Sequence, residues 1–226
     1  MNLIVEFCIV FLICMAGEWI AALLPFTLPA SVISLILLLI LLLSGGVKER
    51  TIQGTSHFLI DNMGLFFIPS VVGTLEYLDV LKLQFVPFLV VSLVSTPLVY
   101  AATAWSVRLL MKLFHAKEAS LLNSLLPKSV TTAIAVSIAE SSGGLPALTA
   151  ASVIITGIEG AMLAPLFAKV FHVTDPVVEG VAIGACSHAV GTSKALEIGP
   201  LQGAMSSIAL CVCGIITSIL AMFFTA

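Results

Sequence analysis

The chain has 226 residues, 60% of them hydrophobic and only 9% charged, with a formal net charge of −3 and a mean hydropathy of +1.20. Soluble domains carry about 25% charged residues, so the composition excludes a soluble globular protein and points to an integral membrane one. The net charge decides little, because in such proteins the position of basic residues matters more than their sum.

The first apolar span runs from Leu3 to Leu24 and ends at Pro25. It has no basic n-region with a small-residue cleavage site, and is expected to be retained rather than removed as a signal peptide. After Phe26-Thr27-Leu28-Pro29 a second span covers Ala30 to Leu43, and Gly45-Gly46 stops it ahead of the polar loop Val47-Lys48-Glu49-Arg50. A third span is expected over Phe58–Leu75, with Asp61-Asn62 near its start and Pro69 within it. Glu76, Asp79 and Lys82 then form a short polar loop. The fourth span, Phe85–Leu110, contains Pro87 and Pro97. Lys48 and Arg50 follow the second span, and Arg108, Lys112 and Lys117 follow the fourth. Cytoplasmic loops collect Lys and Arg, which places both loops and the N-terminus inside.

Residues 111–118 are a change in composition, and a domain boundary is expected there, with residues 1–112 before it and 113–226 after. Four segments follow. Ala119–Ala139 has the length to cross a bilayer but is interrupted by Leu126-Pro127-Lys128-Ser129-Val130-Thr131-Thr132. Ser141-Ser142-Gly143-Gly144 makes a turn, and a span over Leu145–Val170 contains Gly157, Glu159, Gly160 and Pro165. Asp175-Pro176 leads to Val177–Leu196, interrupted in turn by Cys186-Ser187-His188-Ala189-Val190-Gly191-Thr192-Ser193-Lys194. Gly199-Pro200 leads to the last span, Ala204–Phe224. These four segments read as two copies of one plan, with Val130-x-Thr132 and Val190-x-Thr192 in similar places. The expected fold is all-α and polytopic, with about eight transmembrane segments of which two are broken or re-entrant. Full crossing puts both termini inside; re-entrant hairpins reduce the crossings to six.

Proline removes a backbone donor, and irregular backbone at membrane depth persists only where protein buries it or water reaches it. Paired interrupted segments mark a solute site in transporters. The new helix start at Ser129–Thr132 offers free amides to an anion. The candidate binding residues are therefore Lys128, Ser129, Thr131 and Thr132 from the first interruption, with Ser187, His188, Gly191, Thr192 and Ser193 from the second. Ionisable groups at bilayer depth cost at least ~2.5 kcal/mol on insertion scales, which adds Glu159, Lys194 and Glu197 as proton or charge-pair candidates. Plain structural pairing of Lys128 or Lys194 with Glu140, Glu159 or Glu197 is the alternative. His188 carries an imidazole able to exchange protons near neutral pH.

Other chemistries lack their signatures. Ser187-His188 has no Gly-x-Ser-x-Gly elbow, so no enzyme is expected. No phosphate-cradling glycine loop argues for a nucleotide-driven pump, and neither a cofactor nor a metal is called for. The five cysteines, Cys8, Cys14, Cys186, Cys211 and Cys213, form neither a disulfide framework nor a zinc pattern. The basic clusters are too short for nucleic acid.

The first interruption, the Gly143-Gly144-x-Pro146 turn, Ser187-His188-Ala189-x-Gly191-Thr192 and Gly203-Ala204-Met205-Ser206-Ser207 resemble the C-terminal half of the LrgB/CidB membrane family. The preceding stretch is similar to the partner family, LrgA/CidA, through Leu23-Leu24-Pro25, Pro29-Ala30-Ser31 and Leu65-Phe66-Phe67-Ile68-Pro69-x-x-x-Gly73. LrgA and LrgB are usually separate proteins or a longer fusion. Here an LrgA-like half stands where LrgB's own N-terminal helices would be, which suggests a scaffold and oligomerisation role for residues 1–112. The resemblance implies one of two functions. Some relatives are holin-like or antiholin-like regulators of murein hydrolase export and lysis; others carry small carboxylates such as pyruvate or, in plastids, glycolate and glycerate. A lytic pore has no use for two interrupted polar segments, so the expected function is a carrier of small monocarboxylates working by alternating access. The substrate would lie between the interruptions, with a proton or sodium as the coupling ion. The expected setting is a homodimer in the lipid bilayer of the inner (cytoplasmic) membrane.

Overall fold

The computed structural model describes residues 3–23, 30–62, 65, 72–115 and 119–224, and all regular structure among them is helical. The chain forms two compact units, Met1–Pro69 and Ser70–Ala226, divided well before the composition change at 111–118. Four helical stretches of the described residues are long and apolar enough to cross a membrane: Leu3–Leu23, Leu75–Leu113, Pro146–Val170 and Pro200–Phe223.

In the first unit α1 (Leu3–Leu23) packs on α2 (Ala30–Leu43). The expected limits of these two spans hold to within a residue. Gly17 lets the helices approach, since a Cβ there would lie 2.9 Å from the Ser34 Cα. The Ser34 hydroxyl reaches the carbonyls of Ala30 and Cys14, the cross-helix hydroxyl bonding common where lipid removes the hydrophobic drive between helices. A 3-10 turn, Glu49–Thr51, precedes α3 (Gln53–Asp61). The start of α3 is capped from α1: Glu6, 4% exposed, accepts the Thr55 amide at 2.9 Å, so its charge meets the unpaired amides and positive end of that helix. The expected third span at 58–75 falls in part on residues 63–64 and 66–71, outside the described residues.

In the second unit a 3-10 turn, Thr74–Tyr77, runs into α4 (Leu78–Leu113). The expected polar loop at 76–82 is thus helical from Leu78. Asp79 favours the first turn and pairs with Lys82 three residues on at 3.4 Å. Pro87 and Pro97 stay inside α4, as membrane helices tolerate. Its buried residues, Phe88, Ser92, Thr96, Tyr100, Thr103 and Val107, recur at helical spacing and mark the face turned to the protein.

Next come α5 (Ala119–Leu125), α6 (Thr132–Ser141), α7 (Pro146–Val170), α8 (Pro176–Ile198) and α9 (Pro200–Phe224). The turn before α7 needs glycine, because Gly143 has a φ of +74°. Helix α5 holds that turn from below: Asn123 Nδ2 donates to the Ser142 carbonyl at 2.6 Å, and the Leu145 amide donates to Ser124 Oγ at 2.7 Å. Asp175 caps α8 by accepting the amides of Val177 and Val178. Helices α8 and α9 form the most extensive pairing, and with α4 they enclose a core of Phe88, Val181, Ala204, Met205 and Ala209. Gly180 and Gly184 set that approach: a Cβ at Gly180 would meet the Gln202 carbonyl at 2.5 Å, and one at Gly184 would collide with the Ser206 carbonyl. Gly184→Val is therefore expected to cost about 3 kcal/mol through forced separation, read as a fall in Tm of roughly 8 °C in detergent. A Tm within 2 °C of the parent would contradict this packing.

Candidate functional site at two helix interruptions

The first interruption occupies residues 126–131, between the end of α5 and the start of α6. Backbone bonds there are short-range: Leu126 N–H to the Leu122 carbonyl, Lys128 N–H to Leu125, and Val130 N–H to Pro127. Pro127 itself offers no amide. Thr131 is extended (φ −60°, ψ 149°) and precedes α6 without a side-chain cap, which leaves the first amides of α6 uncapped. Leu126, Pro127, Val130 and Thr131 are buried, while Lys128, Ser129 and Thr132 are half-buried.

The second interruption is narrower than the sequence suggests. One residue, His188 (φ 42°, ψ −140°), departs from helical geometry, and α8 resumes after it. His188 and Ser187 are each 2% exposed. The imidazole Nε2 lies 2.8 Å from the Val153 carbonyl; since a carbonyl only accepts, Nε2 carries the proton. The His188 carbonyl accepts from Thr192 Oγ1 at 2.9 Å. That uses the one threonine proton, so Ser206 Oγ on α9 donates to Thr192 at 2.8 Å.

Both interruptions rest on the same strip of α7. Lys128 Nζ donates to Thr156 Oγ1 at 3.5 Å, one turn from the Val153 carbonyl that holds His188. Gly157 and Gly160 continue the strip. A Cβ on Gly157 would stand 2.5 Å from His188 Cε1, and one on Gly160 would collide with Ser187 Oγ. Positions 153, 156, 157 and 160 share one helix face, so α7 presents a groove of small or hydroxylated residues into which the second interruption fits. Among the described residues the Lys128 ammonium forms no ion pair, and its charge is left for another partner.

The remaining sequence candidates are placed differently. Gly191 is buried and packs against Ser187. Ser193 is exposed and donates to the Ala189 carbonyl. Lys194, its side chain 12% exposed, pairs with the more exposed Glu197 at 2.9 Å on α8. Glu159 is exposed, while its neighbours Gly157 and Gly160 turn inward. The sequence reading passed over Val153, Thr156 and the hydroxyl face of α4. The last was visible in principle, since Ser92, Thr96, Tyr100 and Thr103 recur at helical spacing. No cluster of His, Cys, Asp or Glu among the described residues is suited to a metal ion.

Residues 9–226 match the LrgB-like family. An uncharacterised protein of Bacillus subtilis, YxaC, is 46% identical over 98 residues, which are 43% of each chain. Proteins called antiholin-like protein LrgB in Bacillus mycoides and Bacillus cereus are 40% identical over 107 residues, 47% of this chain and 46% of theirs. The chain thus covers less than half the length of these relatives. No solved structure matches it.

The fit of His188 to α7 has a measurable signature. Gly157→Ala drives the imidazole off the Val153 carbonyl and strands its buried N–H, and His188→Ala removes the ring and its hydrogen bond; each is expected to cost about 1–3 kcal/mol. The double variant should cost clearly less than the sum, with a coupling of at least about 0.5 kcal/mol in a thermal-unfolding cycle. Strict additivity would separate Gly157 from His188.

Proposed function

From its place in the LrgB-like family, to which the chain belongs, we propose that this multi-pass membrane protein carries small monocarboxylates. The substrates are of the pyruvate, glycolate or glycerate class, held between the two interruptions and moved by alternating access. The observation that supports this reading most is the meeting of Lys128 and His188 on one strip of α7. An unpaired ammonium beside the uncapped amides of α6 offers a carboxylate both charge and directed donors. Thr131, Thr132 and Ser187 supply hydroxyls around it.

In the same reading the chain crosses the inner membrane about eight times, with both termini cytoplasmic, and works as a homodimer. Residues 1–112, with their LrgA/CidA-like motifs, act as a scaffold against which residues 113–226 move. The LrgB-like match begins at residue 9 and takes in that stretch as well. A second reading, a holin- or antiholin-like regulator of murein hydrolase export, is favoured by the naming of the Bacillus relatives as antiholin-like.

Uptake into proteoliposomes separates the two. The carrier reading expects saturable uptake of labelled pyruvate or glycolate. Lys128→Ala and His188→Ala should each lower it tenfold or more, as loss of a charged hydrogen bond of about 1.5–3 kcal/mol implies, with monodisperse protein retained. Unsaturable leakage of unrelated dyes would favour the pore, and normal uptake by both variants would remove the site assignment.

A further inference from the structure

A small cavity lies on the side of the first interruption turned to α4. The hydroxyls of Thr96 on α4, Ser129 and Thr217 on α9 line it, beside Leu126, Ala185 and Cys213. It has room for about one water molecule, and no charged side chain lines it. Lys128 is turned to Thr156 of α7, which is not part of this wall.

Three features define what the cavity would hold. One of its hydroxyls is under-used: Thr96 Oγ1, 8% exposed, finds no oxygen or nitrogen partner, and neither do Ser92 and Ser95 Oγ nearby on α4 but outside the lining. The thiol of Cys213 lies against Ser92 and Thr96, but a thiol is a weak partner, and orphaned buried hydroxyls call for an occupant. Helix ends also converge there. Leu126 follows the end of α5, and Ala185 stands in the turn before the kink at His188. The last carbonyls of a helix have no amide ahead of them and carry its negative end. Finally, the space is too small for a carboxylate but suits a bare ion. Oxygen ligands are the choice of hard cations, and a cage without a formal negative charge suits a monovalent one. Unwound backbone carbonyls and half-helix C-terminal ends hold sodium in transporters built on broken helices.

We propose that this cavity is a sodium site, formed where the C-terminal ends of two half-helices meet the hydroxyl face of α4 and Thr217 of α9. As a binding site it stands on the cavity alone; as the coupling ion of the carrier it rests on the carboxylate reading above. Sodium orders the two interruptions from their C-terminal side, and the carboxylate then meets N-terminal ends already in place, so the two ligands favour each other.

The test uses the full chain in detergent without substrate, unfolded thermally in 100 mM NaCl, KCl or choline chloride. The expected result is a saturable rise in Tm of about 4 °C or more in NaCl over the other two salts. Thr96→Val and Thr217→Val should lose the rise, and Thr96→Ser should keep it. Where a valine variant does not fold, radioactive sodium binding by the other, against the parent, gives the same reading. Equal Tm values in the three salts would leave the cavity to water and overturn the proposal, as would a rise that survives in both valine variants. A second arm measures glycolate uptake by proteoliposomes under sodium or potassium gradients, with tenfold faster uptake expected under sodium. Equal rates overturn the coupling role. A sodium-dependent Tm with no carboxylate uptake under any gradient overturns the carrier reading and leaves the ion site standing.

Discussion

Backbone that leaves helical geometry inside an apolar slab must find partners for the groups it frees, and no water is there to supply them. That constraint organises the second unit. The kink at His188 is held by an imidazole bonded to the Val153 carbonyl and by Thr192 returning to the His188 carbonyl. The first interruption is held by its own short-range amide bonds and by Lys128 reaching Thr156. Helix α7 touches both and serves both. Without it neither interruption would have a polar partner on that side.

Small residues make this possible. At Gly157 and Gly160 the missing side chains admit His188 and Ser187, and at Gly180 and Gly184 they admit the backbone of α9. Association of helices in lipid depends on close packing and on hydrogen bonds across the interface. Here the same glycines serve packing and site geometry at once, so the site is built into the tightest helix contacts of the unit.

Much of this was legible in the sequence. Pro127-Lys128-Ser129 announced its break because a missing amide and an ammonium do not belong in a lipid-facing helix. The residues around His188 announced another, though the sequence spread it over nine positions where the backbone departs at one. Periodicity cannot separate a wide unwinding from a single kink, and Ser193 fell to the exposed face of α8 for that reason. Glu159 drew attention as an intramembrane acid, yet its glycine neighbours are the inward residues, since a charge is easier to see in a sequence than the absence of a side chain. The hydroxyl face of α4 was hidden by the apolar average of a long span with two prolines. The match over residues 9–226 fixes the LrgB-like family, but the chain aligns with less than half of each named relative, so the chemistry has to be argued from the residues.

The arrangement sorts charge by helix polarity. Uncapped amides and an unpaired ammonium lie on one side of the first interruption, and carbonyl ends with hydroxyls lie on the other. This sorting exists only if the two interruptions face each other. Ser129 and Ala185, which line the same cavity, provide the direct check: a Ser129→Cys, Ala185→Cys pair in a chain cleared of its five native cysteines. The account predicts that a short bifunctional thiol reagent joins the two within one chain, seen as a linked peptide by mass spectrometry. Absence of that link, with a Leu196→Cys, Gly203→Cys pair across α8 and α9 joined under the same conditions, would place the interruptions apart and contradict it.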